Sequence, residues 1–104
     1  MGYLDMAAKN NYFWTKKLDN GNTRVGLNDQ GRDDLGKINF IDVPAKGTVL
    51  EDGGKFVSVE AEKAVTDLDS PVAGTIVAVN DKIVDDPAGL SSDDEAQNWI
   101  VEVK

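Results

Sequence analysis

The sequence predicts a mostly β fold, a small sandwich or barrel held in one domain. Three observations predict it. Short runs rich in β-branched residues follow one another from Ile38 to Val103, separated by glycines and by Asn-Asp or Asp-Pro turns. The stretch Pro44-Ala45-Lys46-Gly47-Thr48-Val49-Leu50 recurs 27 positions later as Pro71-Val72-Ala73-Gly74-Thr75-Ile76-Val77. A length of 104 residues suits one domain and is too short for two of ordinary size.

In chain order, residues 1–11 form a lead-in and 12–104 the domain. Tyr12-Phe13-Trp14-Thr15 and Thr23-Arg24-Val25-Gly26-Leu27 flank Asp19-Asn20-Gly21-Asn22, which reads as a hairpin around an Asn-Gly turn. Asn28 to Leu35 reads as a short helical turn capped by Asn28 or Asp29. Ile38 to Val43 carries a mixed pattern, compatible with a strand but not with a clean one-faced one. Thr48–Leu50, Phe56–Val59, Thr75–Val79 and Trp99–Val103 are clearer strands. Phe13, Trp14, Phe40, Phe56 and Trp99 read as core residues.

The 27-residue offset also pairs Ile38-Asn39 with Val65-Thr66, Ile41 with Leu68 and Asp42 with Asp69, which implies two similar β units about a pseudo-two-fold axis. In that picture Gly47 and Gly74 occupy like turns at positive φ. Gly36 becomes the counterpart of Lys63. Since Leu35-Gly36-Lys37 reads as a turn, Glu62-Lys63-Ala64 should be one too. Local composition points the other way. Glu60 to Ala64 are good helix formers, and Val57, Ala61, Ala64, Val65 and Leu68 would share a helical face. The residues alone leave hairpin and helix both open.

The chain has no Cys and no His. Disulfides, thiol nucleophiles, Ser–His triads and HExxH zinc sites are therefore excluded. Asp85-Asp86 and Asp93-Asp94-Glu95 lack EF-hand spacing, so no metal site is expected. A net charge of −8 repels phosphate backbones, so no nucleic-acid partner is expected. That charge either steers the protein to basic partner surfaces or simply keeps it soluble. No run of eighteen apolar residues is present, so no membrane span is expected. The start lacks a secretory signal, and Met6 stands where myristoylation wants Ser or Thr, so the expected location is cytoplasmic. No catalytic residue stands out.

Val59-Glu60-Ala61-Glu62-Lys63-Ala64, followed by Asp69-Ser70-Pro71-Val72-Ala73-Gly74, resembles the lipoyl-lysine hairpin of the glycine cleavage system H-protein family. Gly47 lies sixteen positions before Lys63 and Gly74 eleven after, as in lipoyl domains generally. Leu35-Gly36-Lys37-Ile38, the Pro44-x-x-Gly47 turn, Asp86-Pro87 and Trp99-Ile100 follow in the family's order, so the resemblance runs from about Tyr12 to Lys104. It implies a lipoyl/biotinyl-type barrel-sandwich hybrid, or hammerhead, with Lys63 at a hairpin tip and lipoate joined to its side chain. It implies a non-catalytic carrier that takes an aminomethyl group between glycine decarboxylase, aminomethyltransferase and dihydrolipoamide dehydrogenase. A lipoate ligase or a lipoyl/octanoyl transferase would load it. Glu60 and Glu62 would mark the lysine for that enzyme, or would only keep the hairpin soluble.

Three features depart from the family's pattern. Glu62 replaces an apolar residue, Tyr12-Phe13-Trp14 replaces His-Glu-Trp, and the sequence stops at Lys104 without a C-terminal helical extension. They bring in other clients as an alternative, a lipoyl relay or a redox-signalling system linked to a macrodomain. A biotinyl carrier would be expected to flank the lysine with methionines, whereas both Met residues here fall in the first six positions. An unmodified interaction domain is the remaining alternative.

Overall fold

A computed structural model of the protein describes residues 12–104, and the lead-in assigned to residues 1–11 lies outside the described residues. The chain runs β1 (Phe13–Lys17), β2 (Thr23–Leu27), α1 (Asp29–Leu35), β3 (Ile38–Asp42), β4 (Val49–Leu50), β5 (Lys55–Ala61), β6 (Val65–Asp69) and β7 (Gly74–Val79). It continues through α2 (Asp81–Asp85), a 3-10 turn (Pro87–Ser91), α3 (Glu95–Asn98) and β8 (Trp99–Val103). Every strand pair is antiparallel. One sheet has the order β1-β2-β8-β7-β4, the other β3-β5-β6. This is the mostly β arrangement with short helices that the sequence leads one to expect, built as two sheets that do not close on each other.

The two sheets share one core. Phe13 of β1 and Phe56 of β5 meet edge to face at 5.2 Å between ring centres, and Val25, Leu35, Ile41, Ile76 and Ile100 are buried around them. Trp14 and Trp99 are half-buried. The Trp14 indole donates to Asn98 Oδ1 at 2.8 Å, which helps satisfy a polar side chain only 1% exposed.

Phe40 corrects the expectation that all five aromatics are core, because it is 51% exposed. The cause is a bulge. Ile38 lies opposite Ala61 and Phe40 opposite Glu60, so Asn39 is an extra residue on β3. That insertion lets Ile38 and Ile41 both face the core and turns Phe40 out, which also explains the mixed pattern along this segment.

The 27-residue repeat is structural over part of its length. β3 and β6 span equivalent positions and flank β5 on either side, while β4 and β7 pair directly. The correspondence ends there, since α2 stands where β5 would recur. Gly47 and Gly74 both have positive φ, +95° and +147°. Their surroundings differ, however, and this corrects the expectation of like turns. Gly47 sits in a turn with open space around its Cβ position. Gly74 opens β7 opposite Leu50, and a Cβ there would lie 2.5 Å from the Lys104 carbonyl oxygen and from Val103 Cγ1.

Candidate functional site

The segment that composition leaves open between helix and hairpin is a hairpin. β5 is the central strand of its sheet. Val57 and Val59 point inward and are buried, whereas Ser58 and Glu60 point outward. Pairing on both sides with β3 and β6 outweighs the local helix preference, which is worth only tenths of a kcal/mol per residue. The Ala61 N–H donates to the Ala64 carbonyl at 2.8 Å and closes the turn. Glu62 and Lys63 form its exposed tip.

The tip rests on the connection between α1 and β3. Asn28 caps α1, its Oδ1 accepting from the Gly31 N–H at 2.8 Å. The helix ends at Gly36, with φ +73° and ψ −153°, a region that L-residues scarcely enter. Past that turn, the Lys63 N–H donates to the Leu35 carbonyl at 3.0 Å and the Glu62 N–H to the Lys37 carbonyl at 2.8 Å. The positive φ favours glycine at position 36, and a Cβ there would also approach Glu62 Cβ to 3.3 Å, so glycine eases the close approach of the two turns. The pair matched by the 27-residue offset, Gly36 and Lys63, are therefore neighbours in space.

The Lys63 ammonium donates to the Asp33 carbonyl oxygen at 2.9 Å. That carbonyl belongs to the last turn of α1, where backbone oxygens lack helical partners and the helix dipole favours a cation. The contact is exposed, so it orients the amine without sequestering it.

Glu60 lies on the outer face between Phe40 of β3 and Val65 of β6. Glu62 is at the tip, where its Oε1 accepts a long hydrogen bond, 3.5 Å, from the Lys37 N–H. The hairpin thus presents two carboxylates on either side of Ala61, one in a strand and one in the turn. Asp67 accepts from the Ser58 hydroxyl at 2.6 Å. Among the described residues no group of three or more His, Cys, Asp or Glu side chains is placed to hold a metal, and no helix is long and apolar enough to cross a membrane.

Sequence reasoning missed two parts of the site: the α1–β3 support and the outward Phe40. The repeat offset carried a signal for the first, because it matched the two turns that touch.

A small network holds the outer side of α1. Tyr12 Oη donates to Asp34 Oδ2 and Gln30 Nε2 to Asp34 Oδ1, both at 2.8 Å. Burial, then the hydrogen bond to Asp34 and its negative charge, pushes the Tyr12 hydroxyl from 10.0 up to about 12. The folded chain therefore holds a proton that the unfolded chain gives up near pH 10. The associated stability is complete below pH 10 and is lost as pH rises from 10 to about 12. Alkaline unfolding followed by circular dichroism should show this fall, and Tyr12→Phe should flatten it. An identical alkaline slope in both proteins would contradict it.

A family model described as "Glycine cleavage H-protein" matches residues 4–104. A glycine cleavage system H protein of Thermosynechococcus vestitus is 36% identical over 88 residues, 85% of this chain and 69% of that protein. One from a Synechococcus strain is 41% identical over 80 residues, 77% of this chain and 62% of that protein. The chain thus spans about two thirds of the length of these relatives. A crystal structure of a glycine cleavage system H protein from Mycobacterium marinum superposes with a TM-score of 0.78 at 33% identity, covering 88% of this chain and 76% of that one.

Proposed function

The chain belongs to the glycine cleavage H-protein family, and from that premise we propose that it is a carrier whose working group is lipoate, amide-linked to Lys63. The observation that supports this most directly is the placement of Lys63, an exposed primary amine at the tip of a hairpin whose backbone is braced by α1 and β3. A carrier lysine must be reached by a loading enzyme and by several clients, so it has to project from a fixed base. Its long stem gives it that reach.

The residues present fit the group. Lys63 is exposed, its amine donates among the described residues to the exposed Asp33 carbonyl, and the turn that positions it depends on backbone contacts that acylation leaves in place. The dithiolane of a bound lipoyl group would supply the sulfur chemistry that a chain without Cys lacks. This chain's own share is to hold the stem and to present the surface that enzymes recognise. Its clients in this reading are a glycine decarboxylase, an aminomethyltransferase and dihydrolipoamide dehydrogenase, between which it would carry an aminomethyl group. The reaction steps belong to those enzymes, and the carrier is not itself a catalyst.

The test is intact mass after co-expression with a lipoate ligase and lipoate. A lipoyl-sized increment mapped to Lys63 is expected. No increment with lipoate ligase, or an increment only with biotin ligase, would overturn the reading. Glu60 and Glu62 take the role of recognition acids. Glu60→Gln should slow acylation by roughly three- to tenfold, whereas Asp93→Asn, in the segment before α3, should leave it unchanged. Equal initial rates for the two variants would reduce Glu60 to a solubilising charge.

A further inference from the structure

The three-stranded sheet turns one face to the core and the other to solvent. Two rows cross the solvent face. Phe40, Glu60 and Val65 stand side by side on β3, β5 and β6, and Asp42, Ser58 and Asp67 form the next row. Together they line a shallow groove. Phe40 is 51% exposed and Val65 79%, two of the four large apolar side chains left exposed among the described residues. Val65 follows Lys63 by two positions. The groove is lined by three carboxylates, those of Asp42, Glu60 and Asp67, and by no basic residue. Lys55 Nζ forms a long, exposed ion pair with Asp67 Oδ2 at 3.9 Å, which leaves Asp42 and Glu60 as the acids of this face outside any ion pair among the described residues.

Resting on the reading of Lys63 as the acylated lysine, we propose that this face docks the enzyme that acylates it, through an apolar contact on Phe40 and Val65 ringed by basic side chains facing Asp42, Glu60 and Asp67. The argument is one of reach and charge. Client enzymes act on the far end of the arm, a full arm's length from Lys63 Nζ. The acylating enzyme must bring its reacting carboxyl to Lys63 Nζ itself, so its surface has to close on the hairpin and the sheet beside it. The apolar pair gives that contact an area worth desolvating, and the acids fix the sign of the partner's rim.

The experiment uses the full unmodified chain, lipoate, ATP and lipoate ligase. Phe40→Thr and Val65→Thr place a strand-compatible, β-branched residue at exposed strand positions. Each should raise the ligase KM for the carrier at least tenfold with kcat changed less than twofold. Val49→Thr, at an exposed position on the other sheet, should change neither. Asp42→Lys is a second variant that removes no packing, and it should raise KM and reduce its dependence on salt. Unchanged KM in the Thr variants or in Asp42→Lys overturns the proposal. So does an equal loss in reduction of the preloaded arm by dihydrolipoamide dehydrogenase, which would make the face a general client surface. If the wild-type chain takes no lipoate at all, the reading of Lys63 has failed first, and this failure is distinct from one in which wild type is loaded and the variants load equally well.

Discussion

Replacing Lys63 by arginine is expected to abolish lipoylation while leaving the fold intact. The two halves of this result have separate causes. The guanidinium keeps its proton at any pH of interest and cannot act as the nucleophile that forms the amide. The fold does not depend on the side chain, because the hydrogen bonds that seat the tip come from the backbone N–H groups of Glu62 and Lys63. Arginine also retains a cation near the Asp33 carbonyl, which Lys63 now contacts. An exposed substitution of this kind stays within about 0.5 kcal/mol. Intact mass should show no lipoyl increment, and thermal unfolding should nearly superpose on that of the wild type. A lipoyl increment persisting in Lys63→Arg would move the site to another lysine. A large loss of melting temperature would show the side chain to be structural.

The largest loss of stability is expected from Gly74→Ala. Two effects add at this position. A φ of +147° is one that alanine adopts only under strain. The new methyl would also be driven to 2.5 Å from a backbone oxygen and a core methyl at the end of β8, neither of which can move without disturbing a sheet strand. Strain and overpacking together cost on the order of 3–5 kcal/mol, which for a domain of this size is on the order of 15 °C or more in melting temperature. Gly47→Ala is the comparison. Its φ is also positive, but nothing lies within 4 Å of its Cβ position, so it should lose only about 1 kcal/mol through strain. Equal losses in the two variants would mean that the approach of Lys104 is not felt.

Local chemistry made several elements readable. Asn28 marks the start of α1 by its side-chain cap, and Asn20-Gly21 marks the turn between β1 and β2. Lys63 was singled out as the candidate site through a resemblance spread over most of the chain. Composition pointed to a helix at Glu60–Ala64, because helix propensity counts neighbours along the chain whereas the strand is made by partners distant in sequence. Phe40 was misread for a similar reason. Its outward placement follows from one extra residue on β3 relative to β5, and a bulge has no signature in the hydrophobic pattern other than its irregularity. The closeness of Lys104 to Gly74 is likewise a meeting of distant segments, which the repeat could not reveal because it treats its two glycines as equivalent.

Because the lysine is set in place mainly by main-chain hydrogen bonds and by a glycine beneath it, the exposed side chains beside it carry little structural duty. The exposed positions 60 and 62 can vary in charge without disturbing the backbone that carries the amine, whereas Ala64 packs against the core. On the proposed reading, charge and size at these positions can change which enzymes the carrier engages without changing the point of attachment. Glu62, exposed at the tip, is the kind of side chain that such a scaffold leaves open to change.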